Sequence, residues 1–134
     1  MDNQKITENF WWEEVICPCC DRVKIIPAFW KHIDALQRMR TTLGFPIIIN
    51  SGYRCERHNA EVNGGARSMH LLIATDIRPE EPNGAMTHAE KQSLVAGRLQ
   101  EMYDIAPSLG FTGRGSYETF IHLDMRAEKL DWRG

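Results

Sequence analysis

His70 stands in Ser68-Met69-His70, Asp76 lies six residues later, and His122 sits within Phe120-Ile121-His122-Leu123-Asp124. Two imidazoles and a carboxylate are donor types that suit a catalytic zinc ion, which takes three protein ligands and leaves its fourth position to water. Convergence of the three would make a hydrolytic centre. Side chains alternate across a strand. If 117–125 is a strand, Phe120, His122 and Asp124 share one face, and Ile121, Leu123 and Met125 share the other. The second set is wholly apolar and predicts a core face; the first predicts the lining of a cleft. Asp76 lies in Ile73-Ala74-Thr75-Asp76-Ile77, where a carboxylate is costly unless it is paired or bound to a metal. A salt bridge to Arg78, or hydrogen bonds to loop amides, is the competing explanation for that residue.

These residues need elements to position them. Asn9 is placed to cap a short helix over 10–15. Pro27 suits the first position of a longer helix in which Phe29, Ile33, Leu36, Met39 and Leu43 recur at steps of three and four. Gly44 ends that helix; Lys31 and His32 read as solvated, off its stripe. Ile47-Ile48-Ile49 reads as a buried strand, 56–62 as a short helix and 72–77 as a second strand. Thr87-His88-Ala89-Glu90 is a capping box that opens a helix with Leu94, Val95, Leu99 and Met102 inward. His58 and His88 read as structural or solvated, and Gly113 and Gly115 as the frame of a turn. The pattern predicts an α+β fold: a small, central, mainly antiparallel sheet with helices packed on one side, forming one domain over 1–134.

Composition narrows the function classes. The chain has 134 residues, 43% hydrophobic and 25% charged, with a formal charge of -2. That balance argues against a nucleic-acid binder working by bulk charge. No apolar run is long enough for a membrane-spanning helix. The polar start, Met1-Asp2-Asn3-Gln4-Lys5, does not read as a signal peptide, so synthesis in the cytoplasm is expected. A monomer is favoured over an oligomer. Of the four cysteines, Cys17, Cys19, Cys20 and Cys55, the first and third form a C-x-x-C step, the spacing of half a zinc knuckle. Reduced, partly buried thiols are the plainer reading.

Taken in order, Ser51-Gly52-Tyr53-Arg54, His58-Asn59, Gly64-Gly65, Ser68-Met69-His70-Leu71-Leu72, Ala74-Thr75-Asp76-Ile77 and Phe120-Ile121-His122-Leu123-Asp124 carry a resemblance. Over residues 10–126 the chain resembles the zinc D-alanyl-D-alanine carboxypeptidase-like peptidases, a group that includes bacterial and phage murein peptidases and shares its fold with the hedgehog signalling domain. The resemblance implies a metallopeptidase acting on peptidoglycan stem peptides, as a D,D-carboxypeptidase or an endopeptidase. It implies Zn2+ held by His70, Asp76 and His122. It also implies that Arg54 steadies a substrate carboxylate or developing oxyanion, and that Ser68 lies beside the ligand loop. For a phage or prophage protein without a signal peptide, release by a partner or carriage in the virion would reach the wall. Two departures stand out. The family pattern has seven steps from His to Asp, whereas His70 to Asp76 is six, with Ile73 where a glycine is usual. Many members carry an acid three residues before the last His, and here that position is Thr119. Glu118 is the nearest carboxylate, and strand alternation would put it on the His122 face. Asp124 is the other candidate, as the base or as a partner that orients a ligand imidazole. A metal-binding domain that recognises cell-wall peptide or a protein partner without cutting is the alternative function.

Overall fold

Pro27 has no amide hydrogen to lose at the first turn of a helix, and Gly44 accepts a left-handed conformation (φ 79°) at the other end; between them runs the longest buried helical face of the protein. The computed structural model describes residues 4–134. In chain order it contains α1 (Trp12–Val15), α2 (Pro27–Leu43), β1 (Ile47–Ser51), α3 (Glu56–Glu61), β2 (Ala74–Pro79), α4 (His88–Ile105), β3 (Gly113–Ser116), β4 (Ile121–Asp124) and β5 (Leu130–Arg133). Short 3-10 turns cover Met69–Leu71 and Ala106–Leu109. The expected α+β architecture is present. The strands form one sheet in the order β1-β2-β4-β3-β5. β1–β2, β2–β4 and β3–β4 are antiparallel, while β3–β5 is parallel, so the sheet is mixed.

The core lies between one sheet face and the long helices. Ile47, Ile49, Ile77, Ile121 and Leu123 meet Phe29, Ile33, Leu36 and Met39 of α2 and Leu99 and Met102 of α4. Each large apolar side chain buried there contributes about 1.5–3 kcal/mol. Thr87 and Glu90 form the expected capping box at the start of α4. Asn9 does not cap α1; its side chain accepts from Gln37 Nε2 at 2.8 Å, and the α1 entry is closed by Glu14 Oε1 accepting from Trp11 N at 2.9 Å.

Three local expectations are corrected. Gly113 and Gly115 do not frame a turn but lie within β3, and the strand expected over 117–125 begins only at Ile121, after a turn. β5 was not foreseen. His32 is fully buried rather than solvated. It falls three residues after Phe29 and four before Leu36, and is therefore on the buried stripe. Its Nε2 lies 2.9 Å from Thr75 Oγ1, and its ring meets Phe111 edge-on at 5.0 Å. Nδ1 is buried without a partner among the described residues. A neutral ring protonated on Nε2 fits, because a bare lone pair is the less costly group to leave at Nδ1.

Burial lowers the His32 pKa to about 3. The unfolded chain therefore binds a proton that the folded one refuses between about pH 6.5 and 3. The His32 contribution to stability is complete above the unfolded pKa and is lost as pH falls through that window, at up to about 1.4 kcal/mol per pH unit. Urea unfolding from pH 7 to pH 4 is expected to show a shallower loss in His32→Gln than in the wild type. Parallel curves would contradict the assignment.

Candidate metal centre

The sheet register builds half of the centre. Asp76 on β2 pairs directly with His122 on β4, so their side chains project from the same face. Their strand neighbours Thr75, Ile77, Ile121 and Leu123 are buried towards the helices. His70 comes from outside the sheet, on the turn Met69–Leu71, where Ser68 Oγ accepts from His70 N at 3.2 Å. The six-residue spacing is therefore spanned by a turn and not by a strand. His70 Nε2, Asp76 Oδ and His122 Nδ1 meet, with all three donors within 4.8 Å of one another.

Backbone groups fix the His70 ring. Its Nδ1 lies 2.7 Å from the Gly52 carbonyl, and its own carbonyl accepts from Arg54 N at 2.8 Å. Tyr53 N in turn donates to Val15 O at 2.9 Å. Residues 52–54 are thus wedged between α1 and the His70 turn. Only glycine fits at 52, since a Cβ there would stand 2.7 Å from Val15 Cα and from its carbonyl oxygen.

His122 is fixed by a carboxylate. Its Nε2 lies 2.7 Å from Asp124 Oδ2. Asp124 is fully buried and also accepts from Arg126 Nη2 at 2.5 Å, Nε at 2.8 Å and N at 3.1 Å. Gly113, opposite Asp124 in the register, leaves the room this needs: a Cβ at 113 would come within 2.0 Å of Asp124 Oδ1. Trp132 of β5 packs beside His122 at 5.1 Å and under the Arg126 guanidinium at 5.0 Å.

These bonds determine where the ring protons lie. A carbonyl and a carboxylate can only accept, so neutral His70 carries its proton on Nδ1 and neutral His122 carries its proton on Nε2. The other nitrogens, His70 Nε2 and His122 Nδ1, then present lone pairs to Asp76 Oδ1 at 3.3 and 3.1 Å. Three acceptors face one another, an arrangement that calls for a cation. Donors around a tetrahedral zinc with 2.0–2.1 Å bonds stand about 3.3–3.4 Å apart, close to what is observed. The residues therefore fit such an ion in both donor chemistry and spacing. Without a metal, added protons satisfy the same geometry. Burial opposes a charge on His122, but Asp124 and Asp76 outweigh it and raise its pKa. Burial likewise works against an ionised Asp76, yet His122 and His70 hold it well below the usual carboxylate range. Proton and metal thus compete for the same nitrogen.

The other candidate residues are placed as follows. Arg54 is mostly buried, with Nη2 3.7 Å from Asp76 Oδ2 and Nη1 3.5 Å from Asn59 Oδ1. Arg78 does not pair with Asp76; it donates to Asn50 Oδ1 at 3.0 Å. Asp124 lies behind His122 and not beside Asp76. Glu118 is exposed on the turn before β4 and borders a shallow groove with Leu99, Gln100 and Tyr103. Because β4 starts at Ile121, the alternation that would put Glu118 on the His122 face does not extend back to it. Sequence reasoning missed the Gly52 carbonyl, Arg126 and Trp132. The pairing of Arg126 with Asp124, two residues apart, was the one signal available.

An α+β fold with a His-Asp-His cluster at one face of its sheet fits a metal-dependent enzyme. A family model described as Peptidase M15 matches residues 8–124, and the chain belongs to that family of metallopeptidases. No curated protein matches the sequence.

The Asp124 contact yields a prediction. Asp124→Asn keeps an acceptor for His122 Nε2 but removes the charge, and is expected to weaken zinc binding about 10–100-fold. Competition with a chromophoric chelator measures this; an unchanged affinity would contradict the role of Asp124.

Proposed function

We propose that the protein is a zinc metallopeptidase that hydrolyses peptidoglycan stem peptides, as a D,D-carboxypeptidase or a murein endopeptidase. The observation that carries the metal is the meeting of His70 Nε2, His122 Nδ1 and Asp76 Oδ1 with no proton between them in the neutral tautomers. Membership of the Peptidase M15 family supports peptide hydrolysis, and the resemblance of the sequence motifs to murein peptidases supports the substrate class.

In this reading His70, Asp76 and His122 hold the ion. An ion held there would supply a coordinated water of lowered pKa and a Lewis acid for the scissile carbonyl. Asp124 keeps the His122 ring oriented, with Nδ1 free to ligate. Arg54 stands beside Asp76 and offers its guanidinium to a substrate carboxylate or to the developing oxyanion. Ser68 holds the ligand turn at the substrate's edge through the His70 amide. Both oxygens of Asp124 are committed to His122 and Arg126, so it is a poor proton acceptor. Glu118, the nearest carboxylate before His122 in sequence, borders the groove against α4 and does not share the His122 face, so the proton transfer from water to leaving amine is not assigned to it.

A second reading is a domain that holds metal and binds stem peptide without cutting it. The observation in its favour is that Asp124 is fully engaged and Glu118 is exposed beside α4 residues. One experiment separates the two. Zinc-loaded protein is incubated with a stem pentapeptide and with cross-linked muropeptides, and products are read by mass spectrometry. Release of D-alanine or opening of the cross-link is expected, lost in His122→Ala. Glu118→Gln, which alters a side chain beside α4 and not on the ligand face, is expected to leave kcat and KM unchanged. Stoichiometric zinc with peptide binding and no cleavage would establish the second reading.

A further inference from the structure

Three of the four cysteines are neighbours in sequence and the fourth is far along the chain, yet all four meet in space. Cys17, Cys19 and Cys20 lie in the loop after α1, and Cys55 lies between β1 and α3. All four sulfurs fall within 4.8 Å of one another. Cys17 Sγ is 3.5 Å from Cys19 Sγ and 3.6 Å from Cys55 Sγ, and the last two are 3.2 Å apart. These separations exceed a disulfide bond of about 2.05 Å. They approach the edge of about 3.8 Å that four sulfurs make around zinc at 2.3 Å.

The backbone is arranged for thiolates as well. The loop folds back on itself: Cys17 N donates to Arg22 O at 2.7 Å, and Asp21 N donates to Cys17 O at 2.8 Å. Asp21 takes a left-handed conformation (φ 55°) to close that turn. The amides of Cys19 and Cys55 point at Cys17 Sγ, the amide of Arg22 at Cys20 Sγ, and the amide of His58 at Cys55 Sγ, the last at 3.4 Å. Amide hydrogens aimed at sulfur stabilise the anionic form that binds metal.

We propose that Cys17, Cys19, Cys20 and Cys55 form a second, structural zinc site, closed by four thiolates and without a position for water. Soft sulfur donors in a tetrahedral set select zinc over hard cations. The site ties the loop after α1 to the residue that follows Arg54. It thereby clamps 52–55, the segment whose Gly52 carbonyl holds His70 and whose Arg54 flanks Asp76. Its role is to brace the catalytic centre, not to share in the reaction.

The test counts zinc in protein purified under reducing conditions without chelator. The wild type is expected to hold two equivalents, and His70→Ala/His122→Ala one. Cobalt exchanged into that double variant should give thiolate-to-cobalt charge transfer, and an organic mercurial should release the retained zinc. Cys19→Ser/Cys20→Ser changes the two exposed ligands and should lose one equivalent from the wild type. If that variant fails to fold, mercurial release from the histidine variant still decides. No zinc in the histidine variant, a cobalt spectrum without thiolate bands, or a disulfide found by alkylation and mass spectrometry would overturn the proposal. Because the metal is counted with both histidines removed, the outcome does not depend on the peptidase reading.

Discussion

Two imidazole lone pairs and a carboxylate oxygen are held face to face at 3.1–3.3 Å, and the surroundings of the centre are built to keep them so. Left to themselves they would turn away, since each is an acceptor and each would do better against water. They cannot turn because the far side of each ring is already occupied. The Gly52 carbonyl takes the Nδ1 proton of His70, and the Asp124 carboxylate takes the Nε2 proton of His122. The electrostatic conflict is thus fixed in place by ordinary hydrogen bonds that make no contact with the ion. A cation resolves it, and protons resolve it less specifically.

Each support rests on something further from the centre. Asp124 keeps its charge in a fully buried position because Arg126 binds it through both side-chain and backbone nitrogens. The Gly52 carbonyl is held in place because Tyr53 is bonded to Val15 on one side and Arg54 to His70 on the other. The direct pairing of Asp76 with His122 rests on the β2–β4 register, which burial of Ile77, Ile121 and Leu123 against α2 and α4 specifies. A slip of one residue in either strand would turn that strand's ligand into the core. The apolar face of the sheet and the ligand face are therefore one constraint seen from two sides.

This explains what could be read from the sequence. The pattern Ile121-His122-Leu123-Asp124 separates core from cleft by period-two alternation, so His122 and its partner were legible from local order. The long helices were legible for the same reason, through their stripes and caps. Other features were hidden because they depend on distant partners. β5 has only Trp132 half-buried in an otherwise exposed, charged run, and its parallel pairing to β3 leaves no local trace. His32 was misread because it is polar, although its spacing put it on the buried stripe. The His70–Asp76 interval is one step shorter than the family pattern. In the structure a turn anchored on Gly52 and Ser68 sets the His70 ring, so the count of residues to Asp76 matters less than the carbonyl behind it. Glu118 shows the reverse error, in which alternation was extended across a turn that interrupts it.

A crystal structure of the zinc-loaded protein, with anomalous scattering collected at the zinc edge, identifies the ion and its donors directly. The account predicts a peak at the sheet face bound by His70 Nε2, His122 Nδ1 and an oxygen of Asp76, at about 2.0–2.2 Å each. It also predicts that the Gly52 carbonyl and Asp124 remain on the far nitrogens. An ion bound elsewhere, or one held by His122 Nε2 with Asp124 displaced, would contradict it.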